Sequence, residues 1–243
     1  MNYEIKVFRN KQILAEATTI DLLNAAKEES SLNRGANIAL AGGSTPRTIY
    51  EKWAAIKNES LWNMIHFFWG DERCVSFNHD DSNYKMAHDA LLSKINIELN
   101  RIHRMEGERD PQDEALRYAD ELKANLPTAE NGLPQFDWIL LGVGTDGHTA
   151  SLFPNSPELE NANSICVVTQ HPQTDQKRIS LSLPVINSAR KVTFLVSGKE
   201  KASIVKEIIK SKTNPNLPAA RVKPQFGLLQ WYLDETAASE IEQ

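Results

Sequence analysis

The sequence predicts an α/β fold in which a mostly parallel sheet is covered on both faces by helices. Three observations predict it. Short apolar runs alternate with amphipathic stretches along the chain. Several of the runs are apolar at nearly every position, as strands buried on both faces require. Hydrophobic residues make up 41% of the 243 and charged residues 24%, which allows a sizeable core and argues against disorder.

Taken in order, the apolar runs place strands at Tyr3–Phe8, Asn37–Ala41, Met64–Trp69, Phe136–Leu141, Ser164–Thr169, Arg178–Leu183, Lys191–Val196 and Gly227–Leu233. The amphipathic stretches between them place helices at Thr19–Leu32, Pro46–Lys57, Ser82–Lys94, Gln112–Leu126 and Lys199–Ser211. Phe77–Ser82 and Pro127–Gln135 read as loops, and neither is long or biased enough to be a domain linker. With no repeat and no low-complexity tract, residues 1–243 are expected to form one domain.

Composition excludes several functions. The formal net charge is −5, which argues against nucleic-acid and anionic-membrane partners, since both favour clustered Lys and Arg. A few convergent basic residues still suffice for a small anion. Two cysteines, Cys74 and Cys166, are too few for a secreted disulfide framework. The opening MNYEIKVFRN has no apolar signal region, and no run approaches the ~20 apolar residues that span a bilayer. A soluble cytoplasmic protein is expected.

In open parallel sheets, ligands bind at the carboxyl ends of the strands. Four segments there carry chemistry. The first, Ala41–Arg47, places Gly42 and Gly43 between a strand and a helix. Ser44 or Thr45 can cap that helix, and Pro46 suits its first turn. A tight capped turn needs no paired glycines, whereas a phosphate at a helix N-terminus does benefit from close backbone approach. The second, Trp69–Cys74, puts Asp71, Glu72 and Arg73 at a strand end. Alone this is a solvated loop; beside other sites Arg73 is a candidate to stabilise an oxyanion. Cys74 has no partner base nearby in sequence and reads as a packing residue. Asp71, Glu72, His66 and His79 show no metal-ligand spacing.

The third segment, Gly142–Pro154, reads GVGTDGHTASLFP and satisfies G-x-G-x-x-G. A dinucleotide site would need that motif to open a long helix, yet Pro154 and Pro157 soon interrupt the chain. It would also need an acidic residue ~20 positions on, at a strand end, where this chain has Thr169-Gln170-His171. What remains is His148, flanked by Asp146 and small residues in a Gly-rich turn, a candidate general base near neutral pH. The fourth site pairs Arg178, at a strand start, with Lys199, at a helix start, where a cation opposes the dipole unless it binds an anion.

The segments AGGSTPRTIYE, FFWGDERCV, DSNYKMAHDALL, FDWILLGVGTDGHTASLFP, RISLSLPVINSARKVTFLVSG and LPAARV together resemble the 6-phosphogluconolactonase family, whose fold is shared with glucosamine-6-phosphate deaminase. The deaminases are similar but carry Asp-Glu-Tyr where this chain has Asp71-Glu72-Arg73, and Asn-Glu-Pro where it has Ser151–Pro154. The resemblance implies a three-layer α/β/α sandwich with a Rossmann-like sheet. It implies hydrolysis of 6-phospho-D-glucono-1,5-lactone to 6-phosphogluconate, the second step of the oxidative pentose phosphate pathway. His148 is then the general base, Arg73 the oxyanion stabiliser and Asp146 a support for the turn. Gly43, Ser44, Thr45, Arg178 and Lys199 hold the 6-phosphate. No metal or organic cofactor is expected, because water is already a sufficient nucleophile. The partner is a small phosphorylated sugar lactone, and the chain acts as a monomer or homodimer. A deaminase or isomerase acting on an amino-sugar phosphate and a non-catalytic sugar-phosphate sensor are the alternatives.

Overall fold

The computed structural model describes residues 2–31, 34–161, 163–211, 214 and 216–241. In chain order the strands are β1 (Asn2–Phe8), β2 (Ala36–Leu40), β3 (Ile65–Trp69), β4 (Asp71–Arg73), β5 (Trp138–Leu141), β6 (Cys166–Gln170), β7 (Lys177–Leu181), β8 (Lys191–Val196) and β9 (Leu228–Asp234). The helices are α1 (Lys11–Ser31), α2 (Ser44–Trp53), α3 (Glu59–Trp62), α4 (Asn83–Ala90), α5 (Pro111–Asn125), α6 (Leu183–Ile186), α7 (Ala202–Ser211) and α8 (Glu235–Ala238). The main sheet runs β1–β9–β8–β5–β2–β3, and each neighbouring pair is parallel. A small antiparallel sheet, β4–β7–β6, stands beside it.

Strand periodicity builds three layers. Successive strand side chains point to opposite faces, and the inner strands β2 and β5 are buried at every position, so both of their faces are covered. Ile139 and Leu141 therefore join a core with Phe68, Phe194 and Trp231, which α5 and α7 cover with Tyr118, Leu122 and Val205. Trp138 and Leu140 join a second core with Phe67, Trp69 and Tyr232, under Leu14 and Leu22 of α1 and Ile49 and Trp53 of α2. Among the described residues no helix is long and apolar enough to cross a membrane.

Caps explain where helices differ from expectation. Helix α1 begins at Lys11, well ahead of Thr19, because the Asn10 carboxamide accepts the N–H groups of Gln12 and Ile13, both at 3.0 Å. The expected end of that helix, Leu32, lies outside the described residues. Asp110 caps α5 in the same way, with Pro111 in the first turn. Helix α2 starts at Ser44 and ends at Trp53. The stretch expected as Ser82–Lys94 is α4 followed by a separate 3₁₀ turn, Leu92–Lys94. Strand β7 stops at Leu181, since Leu183 and Pro184 open α6.

The sheet order sets the position of the site. From β2 the chain steps outward to β3; from β5 it steps the other way, to β8 and β9. The carboxyl ends of β2 and β5 therefore flank a topological switch point, where loops diverge and leave a crevice.

Candidate active site

A cleft of about 200 Å³ opens at this switch point, between Gly42 and Gly43 after β2 and Gly142–Gly144 after β5. Asp71, Arg73 and Arg178 of the small sheet form its far wall with Asn83, while His148 and Lys201 reach in from other loops. Gly43 is also the N-cap of α2. It has a φ of 103°, and no side chain caps the helix. The first-turn N–H groups of α2 are thereby left for a ligand.

His148 is held by its own turn. The Asp146 carboxylate accepts the imidazole Nδ1–H at 2.6 Å and the His148 backbone N–H at 3.1 Å. Burial pushes the Asp146 carboxyl up, but its hydrogen bonds and charge interaction with His148 outweigh this and bring it down to about 2. Asp146 is thus ionised at neutral pH and can only accept, so Nδ1 carries a proton, and in the neutral ring Nε2 is the acceptor. The ring packs on Phe153, centroids 5.1 Å apart. Gly144 lies against the pair so closely that a Cβ there would sit 2.1 Å from Nδ1. Of the three glycines of this segment Gly144 makes room for the histidine, whereas Gly147, at φ 84°, lies against Leu217, and the segment forms turns rather than a long helix.

Two guanidiniums converge opposite. Arg73 and Arg178 are register partners across β4 and β7. Directly opposed like charges destabilise an antiparallel pair unless an anion joins them. The Nε atoms of both are buried without a hydrogen-bond partner. Burial, then the charge of Arg73, holds Arg178 below its ordinary value. Arg73 donates to the Asp81 carbonyl and Arg178 to Gln176 Oε1, which fixes both in place. The Arg178 guanidinium lies 5.9 Å from the centre of the Phe153 ring, so one aromatic supports both His148 and Arg178.

The charged stretch read as a loop is strand β4, and its carboxylates are buried rather than solvated. Pairing with β7 turns Glu72 inward, where it accepts the N–H groups of Arg73, Asn83 and Tyr84 and the Ser82 hydroxyl. It thereby ties β4 to the start of α4. Burial nevertheless pushes its carboxyl up. Asp71 accepts the Ser151 hydroxyl at 2.6 Å and the Asn83 amide at 3.3 Å. A Cβ on Gly42 would lie 2.0 Å from Asn83 Oδ1, so Gly42 admits the Asn83 side chain. Cys74 packs against the core, and burial pushes its thiol up to about 11, which suits packing and not nucleophilic attack. Among the described residues no three His, Cys, Asp or Glu side chains are grouped to hold a metal ion.

The model of the family of glucosamine-6-phosphate isomerases and 6-phosphogluconolactonase matches residues 9–231. The chain belongs to this family. A curated 6-phosphogluconolactonase of Haemophilus influenzae is 42% identical over 214 residues, covering 86% of this chain and 88% of its own. One of a Synechocystis species is 39% identical over 241 residues, covering 98% of each. The crystal structure of devB protein superposes with a TM-score of 0.92 at 40% identity, covering 98% of this chain and 99% of that one.

Among the residues expected from likeness to the 6-phosphogluconolactonase family, Arg73, His148, Gly43 and Arg178 line one cleft, with Asp146 behind His148. Three expected phosphate contacts do not. Ser44 is exposed and Thr45 is buried, and neither lines the cleft. Gly43 takes the capping position assigned to their side chains. Lys199 is exposed and does not line the cleft, while Lys201 does. The reason is local: Gly198, at φ 109°, turns the chain into a 3₁₀ turn over Lys199–Lys201, so the first and third lysines face different ways. Two residues outside the expected set, Asn83 and Ser151, hold Asp71 at the cleft. Asn83 sits in the DSNYKMAHDALL motif, which was its one signal; nothing near Ser151 in sequence announces Asp71.

Proposed function

We propose that this protein hydrolyses 6-phospho-D-glucono-1,5-lactone to 6-phosphogluconate, in the second step of the oxidative pentose phosphate pathway. The observation that carries this reading is the Asp146-bound His148 in the same cleft as two arginines whose Nε atoms lack partners. Asp146 holds His148 with Nε2 as a base. Nε2 takes a proton from water, and the resulting hydroxide attacks C1 of the lactone. Charge gathers on the former carbonyl oxygen, where Arg73 donates to it. As the C1–ring oxygen bond breaks, His148 returns its proton to that oxygen, and the acid product ionises. The 6-phosphate is met by the N-terminus of α2 at Gly43, by Arg178 and by Lys201 in the place assigned to Lys199. Water is a sufficient nucleophile, so the scheme uses no cofactor. Two free thiols, Cys74 and Cys166, suit a cytoplasmic setting.

The deaminase reading is disfavoured at Ser151. Where the deaminases carry an Asn-Glu-Pro, this chain has Ser151–Pro154, a stretch with no Glu, and its serine is fully buried against Asp71. The deciding experiment is acid release from freshly made lactone above its spontaneous opening, with ammonia release from glucosamine 6-phosphate as the counter-assay. His148→Ala should lower turnover ~10²–10⁴-fold while leaving the fold intact. Arg178→Ala should chiefly raise KM. Near wild-type turnover in the histidine variant would overturn the assignment.

A further inference from the structure

The two edges of the main sheet are finished differently. At the β3 edge, Ile102 bridges Phe67, and the His103 N–H donates to the Phe67 carbonyl at 2.8 Å, so a segment of chain covers the strand. At the other edge β1 pairs with β9 along Asn2–Phe8, and among the described residues no segment pairs its outer side. Tyr3 to Val7 are all exposed. Glu4 and Lys6 lie on one face, against Gln230 and Tyr232. Tyr3, Ile5 and Val7 alternate with them and share the opposite face, at 43%, 37% and 49% exposure. On that face Tyr3 borders an apolar groove of about 380 Å³ formed with Ile208, Val222, Leu229 and Trp231. An apolar edge strand of this length is a template for pairing with another strand.

We propose that β1 is the seam of a homodimer in which two copies pair antiparallel about a two-fold axis at Ile5, joining their sheets into one. Charge order selects this partner and this register. Pairing centred on Ile5 sets Tyr3 against Val7 of the second copy, Ile5 against Ile5, and Glu4 against Lys6 on both sides of the axis. Centring on Glu4 or on Lys6 brings two like charges face to face, as does a parallel in-register alignment. The seam is self-complementary, as a two-fold interface requires. Lys6 pairs with Glu4 of its own strand at 3.4 Å, and in this register the same two charges also meet across the seam, whereas an edge without that charge order would set Lys6 against no carboxylate. The cleft lies between β2 and β5, well along the sheet from β1, so pairing leaves it open.

The test is sedimentation equilibrium across micromolar concentrations. The wild type should move from the 27.3 kDa chain to twice that mass. Glu4→Lys and Lys6→Glu should each stay monomeric, because each sets like charges opposite one another twice. The double variant should dimerise again. An equimolar mixture of the two single variants should form mixed dimers, which reports on the seam without any single variant having to self-associate. Circular dichroism and turnover, unchanged in all variants, control for folding. A wild type that is monomeric throughout would leave the edge to some other protein's strand and overturn the proposal. So would a dimer that survives both single substitutions, because a different face would then be holding it.

Discussion

Gly144→Ala isolates the positioning of His148 from its chemistry. Gly144 is not in the left-handed region, so alanine brings no backbone strain and the added methyl is the whole perturbation. That methyl would sit 2.1 Å from His148 Nδ1 and 2.4 Å from Asp146 Oδ1. Ordinary carbon contacts begin near 3.4 Å, so the imidazole and carboxylate must together retreat by about 1 Å. A misplacement of ~1 Å at a reacting group costs ~10²-fold in rate. The assay is lactone hydrolysis above the spontaneous background, with kcat and KM separated. The expected result is kcat lower by ~10²-fold with KM within about threefold of wild type, since the groups proposed to hold the phosphate are untouched. A kcat near wild type in a folded variant would refute the reasoning, because it would mean that the Asp146–His148 geometry is not what sets the rate.

Asp146→Asn keeps the size of the side chain and removes the charge that stabilises a protonated imidazole; kcat should fall ~10²–10⁴-fold, measured in the same assay. Burial, reinforced by the neighbouring His103 and Arg101, holds His66 down at about 4. The unfolded chain, with His66 near its ordinary 6.5, therefore binds more protons between these values, and stability contributed by neutral His66 is lost as pH falls from about 6.5 toward 4. Urea midpoints at pH 7 and pH 4.5 should show that loss, and His66→Gln should reduce it. Asn10→Ala removes the cap of α1 and should destabilise the fold by ~1 kcal/mol in urea titration, without changing kcat.

Much of the site was legible because its signals are local. The apolar runs name their own strands, since a strand buried on both faces tolerates few polar residues. Asp146 and His148 lie two positions apart in a Gly-rich turn, so their pairing needs no information from elsewhere in the chain. The start of helix α1 differs from the expected Thr19 although its signal is equally local, since the Asn10 side chain caps it two and three residues on. Other features have no local signature. Asp71–Arg73 is a strand because β7, about a hundred residues on, pairs with it, and a run of three charges alone gives no sign of that.

The sequence by itself determined the α/β class, the strands of the main sheet, the histidine turn and the family likeness, because periodicity, caps and turn residues act over a few positions. The tertiary structure decided what depends on distant segments meeting. It set Arg73 against Arg178, buried Asp71 on Ser151, turned Lys201 rather than Lys199 into the cleft and left β1 as an open edge. The physical reason is sheet order. Once β5 inserts between β2 and β8, the loops after β2 and β5 diverge, and the crevice between them is where these scattered side chains converge.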